Sequence, residues 1–262
     1  MLDATSIRTL GDELLAAAAE RRAVAPLTDR VPAITIRDAY AIQERIIEQR
    51  IAGGDRVVGQ KIGLTSKAFQ ERFGVSEPDY GRLLASTAYH DGAAVSMSTL
   101  IQPMAEGEIA FVLREDLEGP FVTPLDVLRA TEAVVPCFEI VDSRIVDWKI
   151  KIQDTIADNS SAAAFVLGND LSDPISVDLF SCGMVLERNG EIVAIGAGAA
   201  SLGSPLIAMA WLANALHAYG SKLRAGEIVL SGALASPVPV SAGDSLRLTI
   251  GGLGTASVRF VP

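Results

Sequence analysis

Ile101-Gln-Pro-Met-Ala-Glu-Gly-Glu-Ile-Ala-Phe-Val-Leu113 reads from Glu106 onward as a β-strand. Successive side chains of a strand point to opposite faces, so Glu106, Glu108, Ala110 and Val112 share one side and Gly107, Ile109, Phe111 and Leu113 the other. Two carboxylates therefore leave an apolar strand in the same direction. Like charges so placed repel each other, and burying them is costly unless a cation or a shared proton offsets the repulsion. A third carboxylate, Glu139, interrupts the apolar run Val134-Val-Pro-Cys-Phe-Glu-Ile-Val-Asp-Ser143. The reading that reconciles these strands is that Glu106, Glu108 and Glu139 converge on one metal ion. The chain has only two histidines, so the ion is held mainly by oxygen, which points to Mg2+ or Mn2+ rather than zinc or copper.

Working outward, Asp55 to Thr65 alternates as a strand in which Lys61 has Gly59 and Gly63 as same-face neighbours. Glycines inside a strand often mark the close approach of a ligand, and here they are expected to leave space on both sides of the ammonium group. A lysine beside a cation has a lowered pKa, which suits proton transfer near neutral pH. Gly74-Val-Ser-Glu-Pro-Asp-Tyr-Gly81 is a turn-rich loop that presents Asp79. Asp142 to Ser161 is an irregular polar stretch between apolar strands, a common carrier of function. Within it Asp158, Asn159 and Ser161 either contact a substrate carboxylate or bond their own backbone.

The remaining signals are structural. Thr35 with Asp38 forms a capping box before the stripe Ile42, Ile46, Ile47 and Ile51, and Thr123-Pro124 with Asp126 opens a second capped helix. Asn189-Gly190 supplies the two positive-φ residues of a tight hairpin. Ser204-Pro205 opens a helix carrying Met209, Leu212, Ala213 and Leu216. Strands outnumber helices, so the expected fold is α+β: a mixed sheet rolled into a sandwich or barrel with helices outside. Residues 1–54 are expected to form an N-terminal helical cap and residues 55–262 the metal-binding β-roll.

With 49% hydrophobic residues among 262, the chain supports a sizeable core. A formal net charge of -10 repels the nucleic-acid backbone. The first residues lack the basic flank and apolar core of a signal peptide, and no uninterrupted apolar run reaches the roughly 18 residues of a membrane span. A cytoplasmic protein is expected. Cys137 and Cys182 lie in apolar strand patterns and read as reduced core residues, and His90 and His217 as structural or exposed ones.

The strings Gly59-Gln-Lys-Ile-Gly-Leu-Thr-Ser66, Pro78-Asp-Tyr-Gly81, Ala105-Glu-Gly-Glu-Ile-Ala-Phe111, Pro136-Cys-Phe-Glu-Ile-Val-Asp-Ser-Arg144, Trp148-Lys-Ile-Lys-Ile-Gln-Asp-Thr155 and Ala157-Asp-Asn159 resemble those of the 2-keto-4-pentenoate (2-hydroxypenta-2,4-dienoate) hydratases. These sit with the 4-oxalocrotonate decarboxylases in the fumarylacetoacetate hydrolase superfamily. The resemblance runs in order over nearly the whole chain, and the Cys-Phe-Glu and Trp-Lys-Ile-Lys strings favour the hydratase branch. It implies a mixed β-roll, a divalent metal on Glu106, Glu108 and Glu139, acid/base groups at Lys61 and Asp79, and a small 2-oxo or 2-hydroxydienoic acid as substrate in meta-cleavage catabolism of aromatic compounds. It also implies a homo-oligomer, with association with neighbouring pathway enzymes in some members. The alternatives are decarboxylation of 4-oxalocrotonate, hydrolysis of an acylpyruvate, which relies on a Glu-His pair that this sequence lacks in a comparable motif, and a metal-free scaffold.

Overall fold

The computed structural model describes all residues except 68, 69, 72 and 73. In chain order the strands are β1 (Val57–Gly63), β2 (Asp79–Leu84), β3 (Ala88–His90), β4 (Ala93–Ser96), β5 (Met104–Leu113), β6 (Thr131–Val141), β7 (Ala162–Leu167), β8 (Gly183–Arg188), β9 (Glu191–Ala197), β10 (Ile228–Leu230), β11 (Val238–Pro239), β12 (Ser245–Ile250) and β13 (Gly254–Val261). They form two sheets. The larger runs β2-β1-β10-β5-β6-β7-β3, with β11 added beside β5, and the smaller runs β4-β13-β12-β8-β9. Both are mixed: β1 with β10, β3 with β7, and β4 with β13 are parallel, and the other pairs are antiparallel. Consecutive strands β3 and β4 lie in different sheets, which ties the two together.

The alternation along β5 explains how the sheets stack. Ile109, Phe111 and Leu113 join Phe138 and Ile140 of β6 and Leu246, Leu248, Val258 and Phe260 of the smaller sheet in one core. Fully burying a side chain of this size contributes about 1.5–3 kcal/mol. Gly107 lies on the same face, where an added Cβ would fall 2.7 Å from Leu248 Cδ1. Its missing side chain lets the smaller sheet close over β5. On the opposite face Ala110, Val135, Cys137, Phe165, Leu230 and Leu83 make a separate cluster. The central strands are thus buried on both faces, and the three glutamates emerge on the second.

Helix Ile36–Ala52 packs on Ala4–Glu20 and on Ile152–Ala157, and Leu10, Leu14 and Ile42 join Leu27, Ile145 and Ile156 in one cluster. Thr35 and Asp38 make the reciprocal capping bonds expected of them, as do Thr123 and Asp126. Asn189 and Gly190 have φ of 55° and 87°. The stretch between β6 and β7 is more regular than its polar sequence implies. It holds the helix Ile152–Ala157 between the short turns Val146–Trp148 and Asn159–Ser161. Packing against the N-terminal helices supplies stability that six residues of this composition do not have alone.

The segment Gly198–His217 has the length and apolarity of a membrane span. Its α-helix covers only Pro205–His217, and Ala208, Met209, Leu212, Ala213 and Leu216 on it are each 0% exposed. It is a core helix. Cys137 and Cys182 are buried free thiols, and both histidines are exposed.

Candidate active site

Strand register brings the glutamates together: Glu106 on β5 lies opposite Glu139 on β6, and Glu108 lies opposite Cys137. One carboxylate oxygen from each of Glu106, Glu108 and Glu139 falls within 4.8 Å of the others. Lys61 reaches them from β1, with Nζ 3.1 Å from Glu139 Oε1. The same ammonium donates to the Ser160 carbonyl at 3.0 Å. The Gly232 backbone N–H donates to Glu108 Oε2 at 2.8 Å. Gly232 has φ +97°, and a Cβ there would fall 2.4 Å from the Thr65 side chain, so this position requires glycine.

With all three glutamates ionised, Glu108 Oε1 and Glu139 Oε2 accept no hydrogen bond from the described residues. Glu108 and Glu139 are 0% exposed and Lys61 3%. Together with Asp79, four carboxylates face one ammonium group. Buried charge so unbalanced is costly unless another cation shares the site. Unsatisfied, oxygen-only donors at this spacing fit a hard divalent ion such as Mg2+ or Mn2+.

Burial, with the Glu139 charge beside it, pushes Glu106 up to about 7, and Lys61 opposes the rise. Burial likewise raises Glu108 well above the carboxylate range. It also raises Glu139 and Asp79, each against the pull of Lys61. Two effects oppose each other at Lys61. Burial alone lowers its pKa, but the charges of Glu139, Asp79, Glu106 and Glu108 outweigh burial and hold it above the ordinary lysine value.

These shifts have a sign for stability. The folded Glu106 carboxyl keeps a proton that the unfolded chain releases near 4.5, so the folded state binds more protons and its stability falls as pH rises from about 4.5 through 7. Lys61 is charged in both states over that window and adds no slope. Thermal melts in chelator are expected to give a lower Tm at pH 8 than at pH 5, and Mg2+ a larger increase in Tm at pH 8. Equal Mg2+ effects at the two pH values would argue against carboxylate ligation.

Glu106 opens onto a cavity of about 570 Å3 that is also lined by Lys61, Asp79, Thr155, Ser160 and Ser161. Ser161 is 3% exposed, and its hydroxyl has no partner among the described residues. Asn159 corrects that reading. Its amide accepts from the Arg82 backbone N–H at 2.8 Å and donates to the Arg82 carbonyl at 3.0 Å, which occupies the side chain on β2 and leaves it outside the cavity lining. Asp158 also serves the protein itself, pairing with Arg144. The space expected beside Lys61 is filled as well. A Cβ at Gly59 would collide with the Ile228 carbonyl of β10, and one at Gly63 with Asp79 Oδ1, so protein atoms occupy both Cβ positions, while Gly63 itself lines the cavity. Thr155, Ser160 and Trp148 were not singled out from the sequence. Ser160 acts through its carbonyl, which no residue type advertises.

The profile of the fumarylacetoacetate hydrolase C-terminal family matches residues 65–261. The chain belongs to this family. Within it, the chain falls in the 2-keto-4-pentenoate hydratase branch: it is 52% identical over 262 residues to the 2-hydroxyhexa-2,4-dienoate hydratase of Comamonas testosteroni, with 99% of each chain covered. It is 56% identical over 220 residues to a 2-hydroxypent-2,4-dienoate hydratase of Pseudomonas putida, with 84% of this chain and 99% of that one covered. Among family members of known structure, it superposes at a TM-score of 0.97 on the 4-oxalocrotonate decarboxylase of Pseudomonas putida G7 complexed with magnesium and adipate. That protein is 37% identical, with 100% of this chain and 99% of the other covered. A fumarylpyruvate hydrolase from Pseudomonas aeruginosa in complex with Mn2+ and pyruvate shares the family fold at 16% identity and a TM-score of 0.62, over 77% of this chain and 88% of that one.

Proposed function

We propose that this protein is a divalent-metal-dependent hydratase that adds water to 2-hydroxypenta-2,4-dienoate or a close analogue, giving 4-hydroxy-2-oxopentanoate, in cytoplasmic catabolism of aromatic compounds. The observation that carries the reading is the convergence of Glu106, Glu108 and Glu139 beside Lys61, with Glu106 reaching the cavity. The hydratase relatives at 52% and 56% identity, against 37% for the decarboxylase, support hydration over loss of carbon dioxide.

Mg2+ or Mn2+ held by the three glutamates would supply Lewis-acid stabilisation of the enolate that develops on a 2-oxo acid. The chain's own groups do the rest. The unpartnered Ser161 hydroxyl receives the substrate carboxylate. Lys61, fixed as an ammonium by Glu139 and Ser160, places positive charge and a donor beside the developing enolate. Asp79, whose pKa is raised by burial, carries the proton. The dienol loses its hydroxyl proton and gains one at C5, giving 2-oxopent-3-enoate. Water oxygen then bonds to C4 as C3 takes a proton.

Away from the carboxylates the cavity wall includes Met104, Val141, Trp148 and Ile150, with the Trp148 indole N–H anchored on the Gln102 carbonyl at 3.1 Å. This wall suits a hydrogen or short alkyl group at the far end of the substrate. Exposed Ile192 and Ile195 on β9, at the edge of the smaller sheet, suit a homo-oligomeric contact.

Mass spectrometry of the product tests the activity, because hydration adds one water and decarboxylation removes carbon dioxide. A dienoate ending in hydrogen or methyl is expected to give kcat/KM on the order of 100-fold above that of a dicarboxylate analogue, whose second charge would be buried against apolar side chains. Equal values would remove the apolar-end assignment.

A further inference from the structure

Asn159, Ser160 and Ser161 all lie in the left-handed region, with φ of 53°, 51° and 56°. That conformation is strained for residues with a side chain, asparagine being the most tolerant of the three. Such a turn persists only when its surroundings over-determine it, and each peptide here has an external anchor. The Asp158 carboxylate binds Arg144, whose guanidinium also donates to the Asp158 carbonyl. The Ser161 carbonyl accepts from the Asp142 backbone N–H at 2.8 Å. The Asn159 amide replaces a strand neighbour for Arg82, pairing with both its N–H and its carbonyl.

The turn presses directly on the strands that carry Lys61 and Asp79. A Cβ at Gly81 would lie 2.4 Å from the Asn159 carbonyl oxygen, and one at Gly63 would lie 2.8 Å from Ser160 Oγ. The consequence falls on Lys61, whose Nζ finds the Ser160 carbonyl at 3.0 Å and the Ser160 hydroxyl at 3.4 Å. A lysine stem has several rotatable bonds, and Glu139 alone fixes the ammonium in one direction only.

We infer that Asn159 is a positioning residue: its amide clamps the Asn159–Ser161 turn to β2, so that the Ser160 carbonyl holds the Lys61 ammonium in its working direction. This rests on the reading of Lys61 as a group that acts on the substrate. Asn159 lies outside the lining of the cavity beside Glu106.

The test is steady-state hydration by Asn159→Ala and Asn159→Gly at saturating Mg2+, with Mg2+ titration and Tm measured alongside. Asn159→Ala is expected to lose about 10- to 100-fold in kcat with KM held within about threefold, since a small misplacement of an acting group costs rate more than binding. Its Mg2+ midpoint stays unchanged. Glycine adopts positive φ freely, so a role confined to backbone strain predicts wild-type kcat for Asn159→Gly, whereas the clamp predicts a loss like that of alanine. If Asn159→Ala does not fold, Asn159→Asp keeps the acceptor for the Arg82 N–H, loses the donor, and is expected to fall between wild type and Asn159→Gly in kcat. A raised KM with unchanged kcat, or wild-type kcat in these variants, overturns the inference. Lys61→Met in the same assay separates the two readings: full activity there sinks the role of Lys61, while an inactive Lys61→Met beside a fully active Asn159→Ala sinks the clamp alone.

Discussion

Glu108→Gln is expected to cut kcat at saturating Mg2+ by on the order of 1000-fold while the protein stays folded. Glu108 is fully buried, and one of its oxygens already accepts the Gly232 N–H. An amide fits the same space and can keep that bond through its carbonyl, so the packing around it is preserved. What it removes is the negative charge on the remaining oxygen, at the centre of the trio with Glu106 and Glu139. In chelator the variant is expected to melt higher than wild type at pH 8, because one of the mutually repelling buried carboxylates is gone. In Mg2+ that order reverses. Calorimetric titration with Mg2+, circular dichroism and the hydration assay together check the result. Near-normal turnover with normal Mg2+ binding would take the trio out of the mechanism.

Lys61→Met is expected to lose about 100- to 10,000-fold in kcat. Methionine keeps most of the apolar stem and deletes the charge. The ammonium is the one cation whose ion pair with a glutamate of the trio, Glu139, is seen among the described residues. Removing it leaves Glu139 buried without its partner, a change that costs about 3–5 kcal/mol where the remaining charge stays uncompensated. The loss of Tm should therefore be large in chelator at pH 8. It should shrink at pH 5, where the carboxyls take up protons, and shrink again with Mg2+. A variant that keeps its activity would reassign Lys61 to a purely structural part.

Much of this site was legible in the sequence, for a definite reason. Strand alternation is a local property, so the shared face of Glu106 and Glu108 follows from their spacing alone, and Gly107 facing Leu248 shows the other half of the same rule. Capping by Thr35 and Thr123 and the Asn189-Gly190 turn are local in the same sense. The regular helix between β6 and β7 was hidden because its stability comes from helices more than a hundred residues earlier in the chain. Sequence reading also misjudged Gly59, whose space is taken by the Ile228 carbonyl. The absence of a side chain is visible in a sequence, but what occupies the space is not.

The chain by itself determined that three acidic residues interrupt apolar strands, that oxygen dominates any metal site, and to which family the strings belong. Only the tertiary structure decided that Glu106 and Glu139 are opposed in register, that Lys61 is held between Glu139 and the Ser160 carbonyl, and that Asn159 is fastened to β2. Those three facts depend on distances between residues far apart in sequence. Charge interactions and hydrogen bonds are set by such distances, and no local pattern records them.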